Sequence, residues 1–176
     1  MSRIKFMNTE IDNLTMQETL KVIEELIQKN KNAYVVTPNV DHIVQLETNK
    51  ELQAVYENAS LILTDGKPLM WIAKWYGTPI KEKISGSDLF PLLCKMSAEK
   101  GYKMFFFGAA EGVAAKAAEN LSERYKGLQV VGTYSPCTSQ QKVDTTLYFY
   151  TSFNEHNTPY TVLESDNSES MPDVLH

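Results

Sequence analysis

Four short strand-like runs, each bounded by turn or helix signals, constrain the fold of this chain most strongly. Two of them, residues 33–36 and 61–63, are continuous apolar runs, which are typical of strands that are buried on both faces of a parallel sheet. Because the runs alternate with amphipathic helical patterns, we predict an α/β fold with a parallel sheet and flanking helices. The runs lie at residues 33–36, 61–63, 102–107 and 128–131.

Helix signals occupy the segments between the runs. Thr15-Met-Gln-Glu18 has the form of a capping box, in which the threonine hydroxyl accepts a backbone N–H and the glutamate reaches back. Ser85-Gly-Ser87-Asp88 is a second strong helix start, and Gly101 is the expected end of that helix. A short strand is predicted at 3–7, and helices at about 15–30, 40–46, 50–58, 68–76, 85–101 and 112–125.

The composition changes near Pro136. Residues 1–136 hold 16 Lys+Arg and 16 Asp+Glu, whereas residues 137–176 hold one lysine and six acidic residues, which accounts for the net charge of −5. All eight glycines lie at or before Gly132. We therefore predict an α/β domain over residues 1–136 and a divergent, acidic, Thr/Ser-rich, poorly ordered tail over residues 137–176. Within that tail a strand is possible at 147–150, and disorder is expected at 164–173.

The composition also argues against several classes of protein. No segment approaches the roughly 18 uninterrupted apolar residues of a membrane-spanning helix, and the N-terminus lacks the apolar stretch of a signal peptide. Cys94 and Cys137 have no metal-like spacing, which favours reduced thiols. Neither a metal-ligand cluster nor a basic nucleic-acid patch stands out. We therefore expect a cytoplasmic protein that binds no metal and no nucleic acid.

Small polar residues directly follow the first two apolar runs. Thr37 and Asn39 come after residues 33–36, and Asp65 comes after residues 61–63. Ligands bind beyond the carboxyl ends of parallel strands, so we expect these three side chains to converge on one cleft. Asp65 is a candidate general base, with a turn residue as the alternative. Thr37 and Asn39 could bind a sugar or a phosphate, although such residues most often cap helices.

Two further segments are candidate anion sites. Gly108-Ala-Ala-Glu-Gly112 follows a strand and opens a helix, as phosphate-binding turns do, but it is not GxGxxG and a tight structural turn is an equal alternative. Lys81 and Lys83 precede the helix start at residues 85–88 and could bind a phosphate as point charges. Alternatively, both lysines are solvated surface residues that bind no ligand.

The remaining aromatic and titratable candidates are assigned structural roles. Trp71, Trp75 and Tyr76 lie at helical spacing, which predicts core packing, with an aromatic edge that meets lipid as the alternative. His42 follows an aspartate on a predicted helix and is expected to be structural. Cys94 lies on an apolar helical face and is expected in the core.

Taken together and in order, several stretches between residues 10 and 136 resemble the WecG/TagA/CpsF family of bacterial glycosyltransferases. The number and order of the stretches make the resemblance specific, whereas no single stretch would. They are Ile11-Asp-Asn-Leu-Thr15, Val36-Thr-Pro-Asn-Val-Asp-His42, Asp65-Gly66, Gly86-Ser-Asp-Leu89, Phe106-Phe-Gly108, Gly112-Val-Ala114 and Val131-Gly-Thr-Tyr134.

The resemblance implies a Rossmann-like fold and transfer of N-acetylmannosamine, or a related sugar, from a UDP-sugar to a lipid-diphosphate-linked N-acetylglucosamine. The reaction would take place at the inner face of the cell membrane, in teichoic acid, capsule or other polysaccharide synthesis. The resemblance further implies inversion in one displacement, no metal or other cofactor, and possible homo-oligomers. It assigns the base to Asp65 and substrate binding to Thr37, Asn39, Lys83, Gly108, Gly112 and Tyr134.

Two departures from the family pattern modify these expectations. Lys83 stands where the family usually has arginine, so a bidentate phosphate contact becomes a point contact. The resemblance ends near Pro136, which predicts a fold truncated at its C-terminus, with an exposed sheet edge and without the basic segment that would attach it to a membrane. The alternative function is therefore a non-catalytic remnant that retains part of a sugar- or nucleotide-binding fold.

Overall fold

The computed structural model describes residues 3–29, 33–135, 147–151 and 160–163. Within these residues the chain forms a two-stranded hairpin, a six-stranded sheet and six helices. The strands are β1 (Arg3–Phe6), β2 (Thr9–Asp12), β3 (Tyr34–Val36), β4 (Leu61–Ile62), β5 (Lys103–Gly108), β6 (Gln129–Tyr134), β7 (Leu147–Thr151) and β8 (Tyr160–Leu163). The helices are α1 (Met16–Gln28), α2 (Val40–Gln45), α3 (Lys50–Asn58), α4 (Lys67–Trp75), α5 (Gly86–Lys100) and α6 (Val113–Arg124).

The main sheet has the strand order β4-β3-β8-β7-β5-β6. The pairs β3–β4, β3–β8 and β5–β6 are parallel, whereas β5–β7 and β7–β8 are antiparallel. It follows that β3, β4, β5 and β6 all run in one direction. The α/β class is confirmed, but a wholly parallel sheet is wrong, because the two pairs that β7 makes are antiparallel.

Apolar clusters cover both faces of the sheet around β3 and β4. Side chains alternate between the two faces of a strand. Val35 and Leu61 accordingly join a cluster with residues of α1 and α5, whereas Val36 and Ile62 join a second cluster with residues of α2, α3 and α4. This two-sided burial is what the continuous apolar runs predicted.

The helix caps predicted from the sequence are present in the structure. The Thr15 hydroxyl accepts the Glu18 N–H at 3.3 Å, and the Glu18 carboxylate accepts the Thr15 N–H at 2.7 Å, so the capping box is confirmed. Ser85 caps α5, and Gly101 ends that helix in the left-handed conformation with φ 72°. Helix boundaries therefore follow the local chemistry of the chain.

The β1–β2 hairpin is joined to the main sheet by the buried carboxylate of Asp12. This carboxylate accepts two hydrogen bonds of 3.1 Å from the Arg3 guanidinium and one of 2.9 Å from the backbone N–H of Ile62. The Asp12 residue is 3% exposed, so its charge is compensated inside the fold. The same contact raises the pKa of Arg3, chiefly through the hydrogen bond to Asp12.

Asn13, the next residue, fixes the segment that precedes α5. Its side-chain oxygen accepts the Lys81 N–H at 2.8 Å, and its amide donates to the Pro79 carbonyl at 3.1 Å. The stretch of residues 11–15 therefore connects the hairpin, β4 and the 79–81 segment. These contacts give the stretch a structural role.

The aromatic residues of α4 are not in the core. Trp71, Trp75 and Tyr76 are 69%, 88% and 67% exposed, so the predicted core packing is wrong. The helix instead buries the opposite face, through Leu69 and Ala73. Helical spacing alone could not distinguish the two faces, because apolar side chains occur on both.

The predictions for the tail are tested in part. The strand predicted at 147–150 is confirmed as β7, while β8 was not expected. Residues 136–146, 152–159 and 164–176 lie outside the described residues, and so do Cys137 and the segment predicted to be disordered at 164–173. The predicted truncation, domain boundary and poor order of the tail stay predictions.

Asp12→Ala should destabilise the fold by about 1.5–3 kcal/mol, because it leaves the buried Ile62 N–H without its acceptor and removes two hydrogen bonds from the Arg3 guanidinium. Urea unfolding measures the effect. Glu10→Ala is the matched control, since Glu10 faces the same Arg3 at 3.7 Å but its side chain is 58% exposed. Equal effects of the two substitutions would contradict the anchoring role of Asp12.

Candidate functional site at the carboxyl edge of the sheet

Backbone hydrogen bonds continue the pairing of β3 and β4 beyond the ends of both strands. The N–H of Leu63 donates to the Val36 carbonyl at 2.8 Å, and the N–H of Asp65 donates to the Pro38 carbonyl at 2.9 Å. The segments 37–39 and 63–65 therefore lie side by side at the carboxyl edge. The predicted meeting of Thr37 and Asn39 with Asp65 is supported at the level of the backbone.

A third segment joins the same edge from the start of α5. The N–H of Ile84 donates to the Thr64 carbonyl at 2.8 Å. This contact brings Lys83 and Ser85, the two neighbours of Ile84, next to the segment that contains Asp65. Lys83 thus belongs to the same region as the residues that follow β3 and β4.

Two buried threonine hydroxyls lie at these strand ends. Thr37 and Thr64 are each 2% exposed, and the Oγ1 atom of each has no hydrogen-bond partner among the described residues. Buried hydroxyls are usually paired, so these two are available to a ligand that reaches them. Thr64 was not among the site residues predicted from the sequence, although its place directly before Asp65 at the end of an apolar run was a usable signal.

Asn39 caps a helix, which was the alternative to ligand binding in the sequence analysis. Its side-chain oxygen accepts the His42 N–H at 3.0 Å and so caps α2. The cap uses the carbonyl oxygen of the side chain and not the amide nitrogen. A contact between Asn39 and a sugar stays a prediction.

Asp65 is half-buried in the turn between β4 and α4. Gly66 follows it with φ 102°, a conformation in which a β-carbon would be strained, and no side chain caps the N-terminus of α4. The positive end of the α4 dipole therefore lies close to this carboxylate. The geometry agrees with both alternatives for Asp65, a turn residue and a base.

Lys83 makes an ion pair within the site. Its Nζ lies 2.6 Å from Asp88 Oδ2 and 3.2 Å from Ser85 Oγ. Hydrogen bonds from Lys83 and then from Ser85 lower the pKa of Asp88. To bind a phosphate, Lys83 would have to exchange this carboxylate for the ligand.

The glycine turn after β5 forms a second group of candidate residues. Gly108, Ala109 and Gly112 all have positive φ values, of 113°, 59° and 82°. The Ser135 hydroxyl lies 3.2 Å from the carbonyls of both Gly108 and Ala110 and donates to this turn. No side chain caps the N-terminus of α6, which begins directly after Gly112. The tight turn is confirmed, and phosphate binding stays a prediction.

Tyr134, at the end of β6, lies beside this turn. Its ring stacks on Phe107 with centroids 5.6 Å apart and an interplanar angle of 22°. The residue is 55% exposed, so part of the ring remains accessible. A stacked, half-exposed ring of this kind can contact a base or a sugar.

The two groups of residues share one edge of the sheet but are not adjacent. Since β3, β4, β5 and β6 are parallel to one another, the Asp65 group and the Gly108 group both lie at carboxyl ends. The strands β8 and β7 lie between β3 and β5, which sets these two strands about 14 Å apart. A ligand that contacts both groups must therefore be extended.

Other chemical groups have structural roles. The Nδ1 atom of the buried His42 lies 2.9 Å from the Tyr56 hydroxyl, and burial raises the pKa of that tyrosine. Cys94 is fully buried, which raises its pKa to about 12, as expected for a core residue. Among the described residues, no cluster of three or more His, Cys, Asp or Glu could hold a metal ion. No described helix is long and apolar enough to cross a membrane.

Comparison with known proteins identifies the family. The model of the glycosyl transferase WecG/TagA/CpsF family matches residues 4–152, so the chain belongs to this family. The match extends beyond the expected residues 10–136 and includes β7.

Two curated relatives are similar over part of their length. N-acetylglucosaminyldiphosphoundecaprenol N-acetyl-beta-D-mannosaminyltransferase of Bacillus spizizenii is 32% identical over 106 residues, which are 60% of this chain and 41% of the relative. A protein with the same name from Staphylococcus aureus is 23% identical over 129 residues, 72% of this chain and 51% of the relative. The chain thus spans about half the length of the curated relatives it matches.

Lys83→Met should raise the pKa of Asp88 toward its ordinary value of 3.8, because Lys83 is the main cause of the depression. The depressed folded-state pKa means that Asp88 stabilises the fold above its unfolded pKa and loses that effect as the pH falls through the folded value. The stability difference between the wild type and Lys83→Met should therefore shrink below about pH 4.

Carboxyl NMR titration and thermal melts across this range test the expectation. Lys81→Met is the matched control, since Lys81 pairs with Glu18 at 3.0 Å instead. An Asp88 titration that is the same in the wild type and in Lys83→Met would contradict the ion pair.

Proposed function

We propose that this chain is a glycosyltransferase that moves N-acetylmannosamine, or a related sugar, from a UDP-sugar to a lipid-diphosphate-linked N-acetylglucosamine. Membership of the family and the names of the relatives, which describe an N-acetylmannosaminyl transfer to N-acetylglucosaminyldiphosphoundecaprenol, support the proposal. The observation that carries it is the backbone contact of 2.9 Å that joins the Asp65 segment to the Thr37–Asn39 segment. The reaction belongs at the cytoplasmic membrane face, in the synthesis of cell-surface polymers.

Asp65 is the proposed general base of a single displacement. Its carboxylate takes the proton of an acceptor hydroxyl, and the hydroxyl oxygen attacks the anomeric carbon of the donor sugar. The bond from that carbon to the diphosphate breaks, and UDP leaves with the electron pair. Attack from the side opposite the leaving group inverts the anomeric centre.

The other candidate residues are proposed to hold the two substrates. The hydroxyls of Thr37 and Thr64, which have no hydrogen-bond partner among the described residues, are assigned to a sugar bound beside Asp65. The amide of Asn39 is assigned to the same sugar. Tyr134 is assigned to the nucleotide, because its half-exposed ring offers a stacking face beside the glycine turn.

The developing charge on the diphosphate is proposed to be stabilised by the α4 dipole and one lysine. The N-termini of α4, after Gly66, and of α6, after Gly108–Gly112, both lack a side-chain cap, but β3, β8 and β7 separate β4 from β5, so α6 is assigned to the nucleotide end of the extended donor. Uncapped N–H groups at a helix start attract anions. Lys83 would contribute its charge after exchanging Asp88 for a phosphate oxygen.

A non-catalytic binding role is the second candidate. The insertion of β8 and β7 between β3 and β5 separates the Asp65 group from the glycine turn, which favours binding of a nucleotide or a sugar without transfer. The two candidates differ in one measurable respect. The binding protein would be stabilised by UDP but would not turn over a UDP-sugar.

Asp65→Asn should lower turnover of UDP-N-acetylmannosamine with a lipid-diphosphate N-acetylglucosamine analogue by at least about 100-fold, because the amide cannot accept the proton. The variant should still bind UDP, which a thermal-shift assay measures. Release of UDP and of product by purified protein gives the rate.

Asp41→Asn is the matched control for this substitution. Asp41 is an exposed aspartate on α2 whose carboxylate accepts a hydrogen bond of 3.0 Å from Gln45, and its loss should leave turnover unchanged. Turnover that survives in Asp65→Asn would remove the proposed base. Wild-type protein that binds UDP without turnover would instead establish the second candidate.

Lys83→Met should raise the KM for the UDP-sugar by about tenfold or more, since it removes a charged contact to the diphosphate. Lys83→Arg should retain most of the affinity. Lys81→Met, which removes a comparably exposed lysine, should leave KM unchanged. An unchanged KM in Lys83→Met would mean that Lys83 pairs with Asp88 but does not bind the diphosphate.

A further inference from the structure

Helix α4 carries the most exposed aromatic surface among the described residues. Trp71 and Trp75 are the two tryptophans of the whole chain, and they are 69% and 88% exposed. Tyr76, at the end of the helix, is 67% exposed. Large aromatic side chains in water at neighbouring positions mark an interaction surface rather than a chance exposure.

Four of the exposed residues of α4 form one continuous stripe. Successive helical residues are about 100° apart, so Trp71 and Trp75 lie on one face together with Lys67 and Lys74, within a sector of about 100°. These four residues are named the α4 stripe. The buried Leu69 lies on the opposite face, where it packs in the core with Ala73.

The charge of the α4 stripe is entirely positive. Helix α4 has no acidic residue, and neither Lys67 nor Lys74 makes an ion pair within the described part of the chain. Tryptophan beside lysine is the combination that binds the boundary between lipid headgroups and acyl chains, where the ring is partly buried and the ammonium meets phosphate.

We propose that the α4 stripe docks on the surface of an anionic lipid bilayer. Lys67 and Lys74 meet the headgroup phosphates, and Trp71 and Trp75 enter the interface. The inference does not rest on sugar transfer, but it places a membrane surface directly after Asp65 and Gly66, the residues that precede α4.

A second copy of the chain is a poorer occupant for this surface. A two-fold contact through the α4 stripe would bring four lysines together, and α4 offers no carboxylate to pair with them. Like charges that face each other across an interface oppose association. An anionic surface provides opposite charges for the same lysines.

Vesicle binding tests the proposal directly, because the two tryptophans of the chain are both reporters of the α4 stripe. Vesicles that contain phosphatidylglycerol should sediment with the full chain and shift its tryptophan emission to the blue, whereas phosphatidylcholine vesicles should bind much less. Added salt should weaken the binding, because the lysine contacts are screened. Each of Trp71→Ala and Trp75→Ala keeps one reporter, and each should reduce vesicle affinity by about tenfold.

Matched substitutions make the result specific. Lys67→Gln with Lys74→Gln should weaken binding to anionic vesicles, while Lys95→Gln with Lys116→Gln, on α5 and α6, should not. Thermal melts confirm that the exposed substitutions leave the fold intact. Asp65→Asn should bind vesicles like the wild type, so failure of the proposed sugar transfer and failure of lipid docking are distinguishable.

Three results would overturn the proposal. The first is tryptophan emission that anionic vesicles do not shift. The second is equal loss of binding in the two lysine pairs. The third is a blue shift that depends on protein concentration and not on lipid, together with a dimer in sedimentation, which would assign the α4 stripe to a second copy of this chain.

Discussion

The candidate site depends on the parallel pairing of β3 with β4 and on its continuation past the strand ends. The 2.9 Å bond from the Asp65 N–H to the Pro38 carbonyl is the last contact of that ladder. It fixes the backbone segment that carries Asp65 beside the segment that carries Thr37 and Asn39, which is far away in sequence. It also sets the start of α4, so the direction of the exposed tryptophans follows from the same pairing.

The parts of the fold that the sequence predicted are those with local causes. The capping box of Thr15 and Glu18, the Ser85 cap and the Gly101 stop each depend on residues within one helical turn, and each formed as expected. The buried strands β3 and β4 were also predictable, because continuous apolar runs of this length are typical of strands covered on both faces. The adjacency of the segments that contain Thr37 and Asp65 followed from the general geometry of parallel sheets.

The parts that the sequence did not predict depend on contacts distant along the chain. The position of β7 and β8 between β3 and β5 is a choice among alternative strand neighbours, which the apolar pattern of each strand does not encode. The anchoring role of Asp12 required knowledge that Ile62 lies opposite. The exposure of Trp71 and Trp75 depended on which face of α4 meets the core, and both faces carry apolar residues.

The most direct measurement of the central claim is a crystal structure of this chain with UDP and an acceptor analogue. In that structure an Asp65 carboxylate oxygen should lie at hydrogen-bond distance, about 2.6–3.2 Å, from the hydroxyl that receives the sugar. The diphosphate should then lie beside Lys83, with the nucleotide extending toward the glycine turn. An acceptor hydroxyl bound on another edge of the sheet, away from Asp65 and Thr37, would contradict the central claim.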